Sequence, residues 1–273
     1  MKKNLIMFFV TIVPLFAFSL NTYAMSAGYL GIDDYTSVYG SCSYTSGADS
    51  PDRAGASYVT NLKNRISNYY TTTYFNTDSS VVEYNIRNAS KVDLFVYSGH
   101  GIALNSTDNA LHCFARSFGN TWHNSSMEAY SDVNAITTDC SFNHNYVLTY
   151  ACHWLENGTN SQKEANIWNT FGGTRMTLGY ASTMYLDSRE GDVFGQYLVN
   201  YDYTYQNAFW TATQYYQVQR TSGDTIARVM GYQNTMNDTM SSFYTGTIPT
   251  YSSSPSSFVY YWTRTIPHTG VNL

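Results

Sequence analysis

Val92-Asp93-Leu94-Phe95-Val96-Tyr97-Ser98-Gly99-His100-Gly101 and Tyr146-Val147-Leu148-Thr149-Tyr150-Ala151-Cys152-His153 are the two stretches whose reading decides the fold. Each is a short apolar run rich in β-branched and aromatic residues, the composition of one buried strand. Each ends in a reactive side chain at the point where such a strand would leave its sheet. Open α/β sheets carry their sites at that carboxyl edge. A His at one strand end and a Cys at another supply a base and a thiol nucleophile, His100 and Cys152.

Working outward, helices and strands alternate. A short strand is expected over Tyr29 to Ile32. Ser50 as N-cap and Pro51 at the first helical position open a helix on which Tyr58, Leu62, Ile66 and Tyr69 recur at helical spacing. A strand over Thr71 to Phe75 follows. A helix then runs from about Ser79 to Ala89, where Ser80 and Glu83 have capping-box spacing. After Cys152, Ser161 and Glu164 open a helix that stops at Gly172-Gly173, and a strand covers Thr174 to Tyr180. Asp187 and Glu190 open a helix to Val199, and Thr204 opens another to about Gln219. This alternation predicts an α/β fold: a three-layer sandwich around a mostly parallel sheet of about six strands, with the His100 and Cys152 strands as parallel neighbours.

Two segments break the rhythm. Residues 102–144 are polar and hold three of the six histidines and two of the four cysteines. They read as an excursion over the site edge, with a hairpin, roofing a substrate cleft. The tail 241–273 is rich in Ser and Thr and carries one aromatic run, Phe258 to Trp262, suited to an edge strand. The main domain is therefore expected over 25–240.

Residues 1–24 have the layout of a secretory signal peptide. Lys2 and Lys3 precede an apolar core from Leu5 to Leu20, and Thr22-Tyr23-Ala24 offers a cleavage site after Ala24, with Ala27 as an alternative. An uncleaved anchor helix is the competing reading, but Pro14 breaks a run already short for a bilayer span of about 20 residues. The expectation is a secreted protein without a stable membrane anchor. Only 12% of residues are charged and the net charge is −5, with no basic block, so nucleic acid is not an expected partner. If Cys152 stays reduced, three cysteines remain. Cys113 and Cys140 bracket the same insertion and form the preferred disulfide, with Cys42 as the other partner to consider.

An apolar strand ending in Gly-His-Gly (99–101), followed by an apolar strand ending in Ala-Cys (151–152), resembles the caspase–gingipain–legumain–clostripain group of cysteine peptidases. The stretch Gly172 to Tyr216 is similar to the region after the cysteine in caspase-like CHAT domains. The resemblance covers about Ala54 to Arg228. It implies a polypeptide substrate, no cofactor, and an oxyanion hole built from the backbone N–H groups of Gly101 and Cys152.

His100 suits the role of general base, because its ordinary pKa lies near neutrality. A turn histidine capping its strand is the alternative. For Cys152 the alternative is a buried structural thiol. His153 follows the nucleophile on an extended segment, so its side chain is expected on the opposite face and takes no catalytic role. No Cys-x-x-Cys or His-x-x-x-His spacing supports a metal. Relatives that cleave after Arg or Lys carry an acid two residues before the cysteine; here that residue is Tyr150. By the same resemblance Tyr150, Tyr180, Ser182 and Thr183 are candidate pocket residues. Asp187 is the nearest acid, although a plain N-cap is the other reading of it. An inactive binding module on the same fold, or another thiol hydrolase on the same dyad, remain the rival functions.

Overall fold

The computed structural model describes residues 25–33, 54–81, 85, 90–99, 101–102, 111–113, 130–132, 144–156, 174–219, 223–246 and 259–269. A seven-stranded sheet runs through them. Its strands are β1 (Met25–Gly31), β2 (Tyr70–Thr77), β3 (Leu94–Ser98), β7 (Tyr146–Tyr150), β8 (Met176–Tyr180), β9 (Thr225–Tyr232) and β10 (Val259–Ile266). The spatial order is β10-β9-β8-β7-β3-β1-β2. From β2 to β8 every pairing is parallel, whereas β9 and β10 join antiparallel. The remaining strands, β4 (Gly101–Ile102), β5 (Leu111–Cys113) and β6 (Tyr130–Asp132), form a separate antiparallel sheet in the order β4-β5-β6.

The fold is α/β, as the alternation predicts, and β3 and β7 are parallel neighbours with Ser98 opposite Tyr150. Strand β10 adds to the edge beside β9, so the tail completes the sheet. Strand β9 was not expected; it carries the sheet from its parallel half to that edge.

Among the described residues, three helices cover one face: α1 (Gly55–Ile66), α2 (Ser188–Tyr201) and α3 (Tyr205–Tyr216). They share a core with alternate residues of the strands, among them Leu94, Val96, Leu148, Leu178 and Val229. Phe194 of α2 and Phe209 of α3 are among the largest fully buried side chains, each within 1% of full burial. Burial of such a side chain contributes about 1.5–3 kcal/mol. α1 and α2 cross closely because Gly191 has no side chain: a Cβ there would lie 2.5 Å from the carbonyl oxygen of Tyr58. On the opposite face Phe95, Tyr97 and Val147 are buried as well. Segments 82–84, 86–89 and 157–173, where sequence spacing puts the helices of a third layer, lie outside the described residues.

The helix starts differ instructively. Asp187 and Thr204 cap α2 and α3 as expected, accepting the N–H groups of Arg189 and Asn207. α1 has no cap from its own N-cap residue, Ala54. Its cap comes from the end of β1, where the Asp33 carboxylate accepts the N–H of Ala56 (2.6 Å) and the hydroxyl of Ser57 (2.9 Å). Ser50 and Pro51, the expected start, lie outside the described residues. Ser80 does take part in a capping box, but with Thr77 around a 3-10 turn over Asp78–Ser80.

Candidate active site

The parallel register of β1, β3 and β7 brings their carboxyl ends together. The N–H of Ile32 bonds the carbonyl of Ser98 (3.0 Å), and the N–H of Gly99 bonds the carbonyl of Tyr150 (3.1 Å). The two chains leave the sheet side by side. His100 itself lies outside the described residues, but both its covalent neighbours are within them. Gly101 packs so tightly on Cys152 that a Cβ would lie 2.1 Å from the Cys152 carbonyl oxygen and 3.0 Å from its nitrogen. Only glycine fits there. The same residue opens β4 and pairs with His112, so the small sheet of the 102–144 insertion is anchored at this edge. Cys113 lies on β5, while Cys140 and the expected Cys113–Cys140 bridge fall outside the described residues.

Cys152 forms no disulfide among the described residues and is half-buried at the rim of the core. The chain turns sharply after it. The N–H of His153 bonds the carbonyl of Ser182 (3.0 Å), and the N–H of Leu155 bonds the carbonyl of Tyr180 (2.9 Å). This fastens the turn to the exit of β8, and Trp154 and Leu155 fold over Gly179. The Cys152 sulfur accepts the backbone N–H of Met184 at 3.3 Å, and its thiol donates to the Met184 carbonyl oxygen at 3.8 Å.

His153 sits in the left-handed region at φ 60°, a conformation that costs a residue with a Cβ about 1–2 kcal/mol. The turn holds it there through two side-chain bonds. Its Nδ1 lies 3.1 Å from Glu156 Oε2 and its Nε2 lies 3.0 Å from Thr183 Oγ1. The segment is a turn and not the extended strand expected from the sequence, so strand alternation does not decide which face the His153 side chain takes.

The pocket candidates require correction. Tyr150 and Tyr180 are both fully buried beneath the sheet edge and line no cleft. Strand alternation puts them on the helix face with Leu148 and Leu178. Their hydroxyls donate to Glu190, Tyr150 to Oε2 (2.7 Å) and Tyr180 to Oε1 (2.5 Å). Tyr150 also stacks on Tyr58 with centroids 3.9 Å apart. Asp187 is buried too, capping α2 and taking the Arg189 guanidinium on both oxygens. It has no reach into a pocket beside Cys152, and the N-cap reading is the one that describes it. Ser182 and Thr183 do remain at the edge near the cysteine. The Ser182 hydroxyl accepts the N–H of Ile226 (2.8 Å), and Thr183 is exposed.

Sequence reasoning missed Glu190, which was read only as a helix-opening acid. It is 1% exposed and accepts four donors: Tyr180 and Thr213 at Oε1, Tyr150 and Gln217 at Oε2. Burial still outweighs those bonds and pushes its pKa from 4.5 up to about 7. Among the described residues, no group of three His, Cys, Asp or Glu side chains is arranged to hold a metal ion.

Residues 34–265 match a family described as a domain of unknown function, DUF6345. The chain belongs to that family. The match spans the sheet from β2 to β10, the cysteine turn and all three helices. No curated protein matches the chain.

Proposed function

We propose that this DUF6345 protein is a secreted cysteine endopeptidase of the caspase-like kind, with Cys152 as nucleophile and His100 as base. The observation that carries the reading is the contact of Gly101 with the Cys152 backbone. One peptide link separates Gly101 from His100, and linked Cα atoms are about 3.8 Å apart. The contact supports the pairing because Gly101, the residue after the motif histidine, packs on the backbone of the thiol residue.

His100 takes the proton of the Cys152 thiol, and the sulfur attacks the scissile carbonyl. The N–H groups of Gly101 and Cys152 stabilise the resulting oxyanion. Collapse breaks the C–N bond and the imidazolium returns its proton to the leaving amine. Water, deprotonated by His100, then hydrolyses the thioester and regenerates the thiol. With Asp187 committed to Arg189, the arm 181–187 supplies no free acid to a bound Arg or Lys. The reading therefore favours a neutral or polar residue before the cleaved bond. A second reading, a binding module without turnover, is favoured by one observation: the sulfur is half-buried and held by Met184.

Labelling with electrophilic peptide probes that vary the residue before the warhead separates the two. The peptidase reading expects Cys152-specific labelling with a clear residue preference, lost in Cys152→Ala. Labelling no faster than that of a small free thiol, across the whole probe set, would sink it.

The same proposal includes export with signal cleavage after Ala24. β1 begins at Met25, and Ala27 is fully buried where it pairs with Thr72 and Leu94. Cleavage after Ala27 would remove paired core residues, so cleavage after Ala24 is the expected site. N-terminal sequencing of exported protein should begin at Met25, and a start at Gly28 would refute this.

A further inference from the structure

The arm from Ala181 to Asp187 joins β8 to α2 and carries the N–H that reaches the Cys152 sulfur. Backbone bonds hold its first two residues, Ala181 to Ile226 and Ser182 to His153, while Tyr185 is fastened by side chains, the Tyr150 hydroxyl at 3.1 Å among them. Gln217, just after α3, makes the closest fastening. It is fully buried. Its Oε1 accepts the N–H of Tyr185 and its Nε2 donates to the carbonyl of Tyr185, both at 2.7 Å. A single amide thus satisfies both backbone groups of one residue, as a neighbouring strand would. Gln217 is itself braced, by Glu190 Oε2 at 2.8 Å and by the Thr225 hydroxyl at 3.3 Å.

We infer that Gln217 is a positioning residue of the thiol site: it fixes Tyr185 and so holds Met184 with its N–H nearer the Cys152 sulfur (3.3 Å) than its carbonyl oxygen (3.8 Å), an arrangement in which the closer N–H favours thiolate over thiol. The inference rests on the reading of Cys152 as the reacting group, and not on the peptide substrate. A hydrogen bond donated to an anion stabilises the charged form, and the thiolate is the reactive form of cysteine. Gln217 acts through the arm and does not itself meet the reacting atoms.

The test is the rate of Cys152 alkylation by iodoacetamide across about pH 5 to 10 in the full chain. Peptide-level mass spectrometry separates Cys152 from the other three cysteines. Gln217→Met keeps the length of the side chain and removes both bonds to Tyr185. The midpoint should move up by about one pH unit, so that reactivity at pH 6 falls roughly tenfold, while the rate at pH 10 is unchanged. A variant that was merely loosened would instead react faster at every pH. A folded Gln217→Met with the wild-type midpoint overturns the inference. If that variant does not fold, Thr225→Val carries the test. It should shift the midpoint the same way, by roughly twofold in reactivity, and an unchanged profile overturns the inference. A wild-type midpoint near the ordinary thiol value of about 8.5 would defeat the reading of Cys152 as well. A low wild-type midpoint that Gln217→Met leaves in place defeats the inference alone.

Discussion

Glu190→Gln is the perturbation with the clearest arithmetic. Burial raises the folded-state pKa of Glu190 from 4.5 to about 7. A raised folded pKa means that the native protein holds this proton more tightly than the unfolded chain does. The contribution to stability is therefore fully present below about pH 4.5 and is lost as pH rises through 7. The difference of about 2.5 pH units corresponds to about 3 kcal/mol between the two limits. In a domain of this size that is a fall in melting temperature of about 6–12 °C. Glu190→Gln removes the titrating group while keeping one carbonyl acceptor for Tyr180 and Thr213. Its amide N–H groups face Tyr150 and Gln217, so the variant should be less stable than wild type at pH 5. The difference should narrow or reverse at pH 8, where wild type holds a buried charge. Thermal unfolding at pH 5, 6, 7 and 8 reads both curves. Parallel slopes for wild type and variant would show that Glu190 does not titrate in this window, and the account of the cluster would be wrong.

Two further predictions concern backbone and cap. Gly101→Ala puts a Cβ 2.1 Å from the Cys152 carbonyl oxygen, so β4 or the cysteine turn must move. Probe labelling of Cys152 should fall about a hundredfold, the scale expected of a displacement of about 1 Å at a reacting group, and retained labelling would remove the contact from the argument. Asp33→Ala strips the distant cap from α1 and should cost about 1–2 kcal/mol in urea unfolding, with Asp33→Asn losing less; equal costs would mean that its charge, not its acceptor oxygens, holds the helix start.

The parts of the fold legible in sequence were those decided locally. β3 and β7 are dense apolar runs, and Asp187 and Thr204 sit immediately before helical spacing, so strands and caps could be read from neighbours in the chain. The start of α1 could not, because its acceptor is Asp33 at the end of β1, 23 residues from Ala56. β9 was missed because Arg228 interrupts its apolar character. Burial alternates there, with Thr225, Ala227 and Val229 buried against half-buried Ile226 and Arg228, but polar Thr225 sits on the buried side and apolar Ile226 on the other, so the sequence shows no apolar–polar alternation. The pocket candidates failed for a related reason. The strands are buried on both faces, so no polar alternation marks which side Tyr150 and Tyr180 take, and the pocket role that the resemblance implied for them does not fit residues facing the helices. The parity with Tyr146 and Leu148 would have put Tyr150 on the helix face. Glu190 was opaque for a different reason: its four donors come from β7, β8, α3 and the turn after α3, and only the assembled sheet brings them together.

The most direct test of the central claim, that Cys152 and His100 work as a nucleophile–base pair, is the pH profile of Cys152 alkylation in wild type against His100→Ala. The account predicts a wild-type midpoint well below the ordinary thiol value of about 8.5, returning toward it when His100 is removed. Superimposable profiles for the two proteins would contradict it.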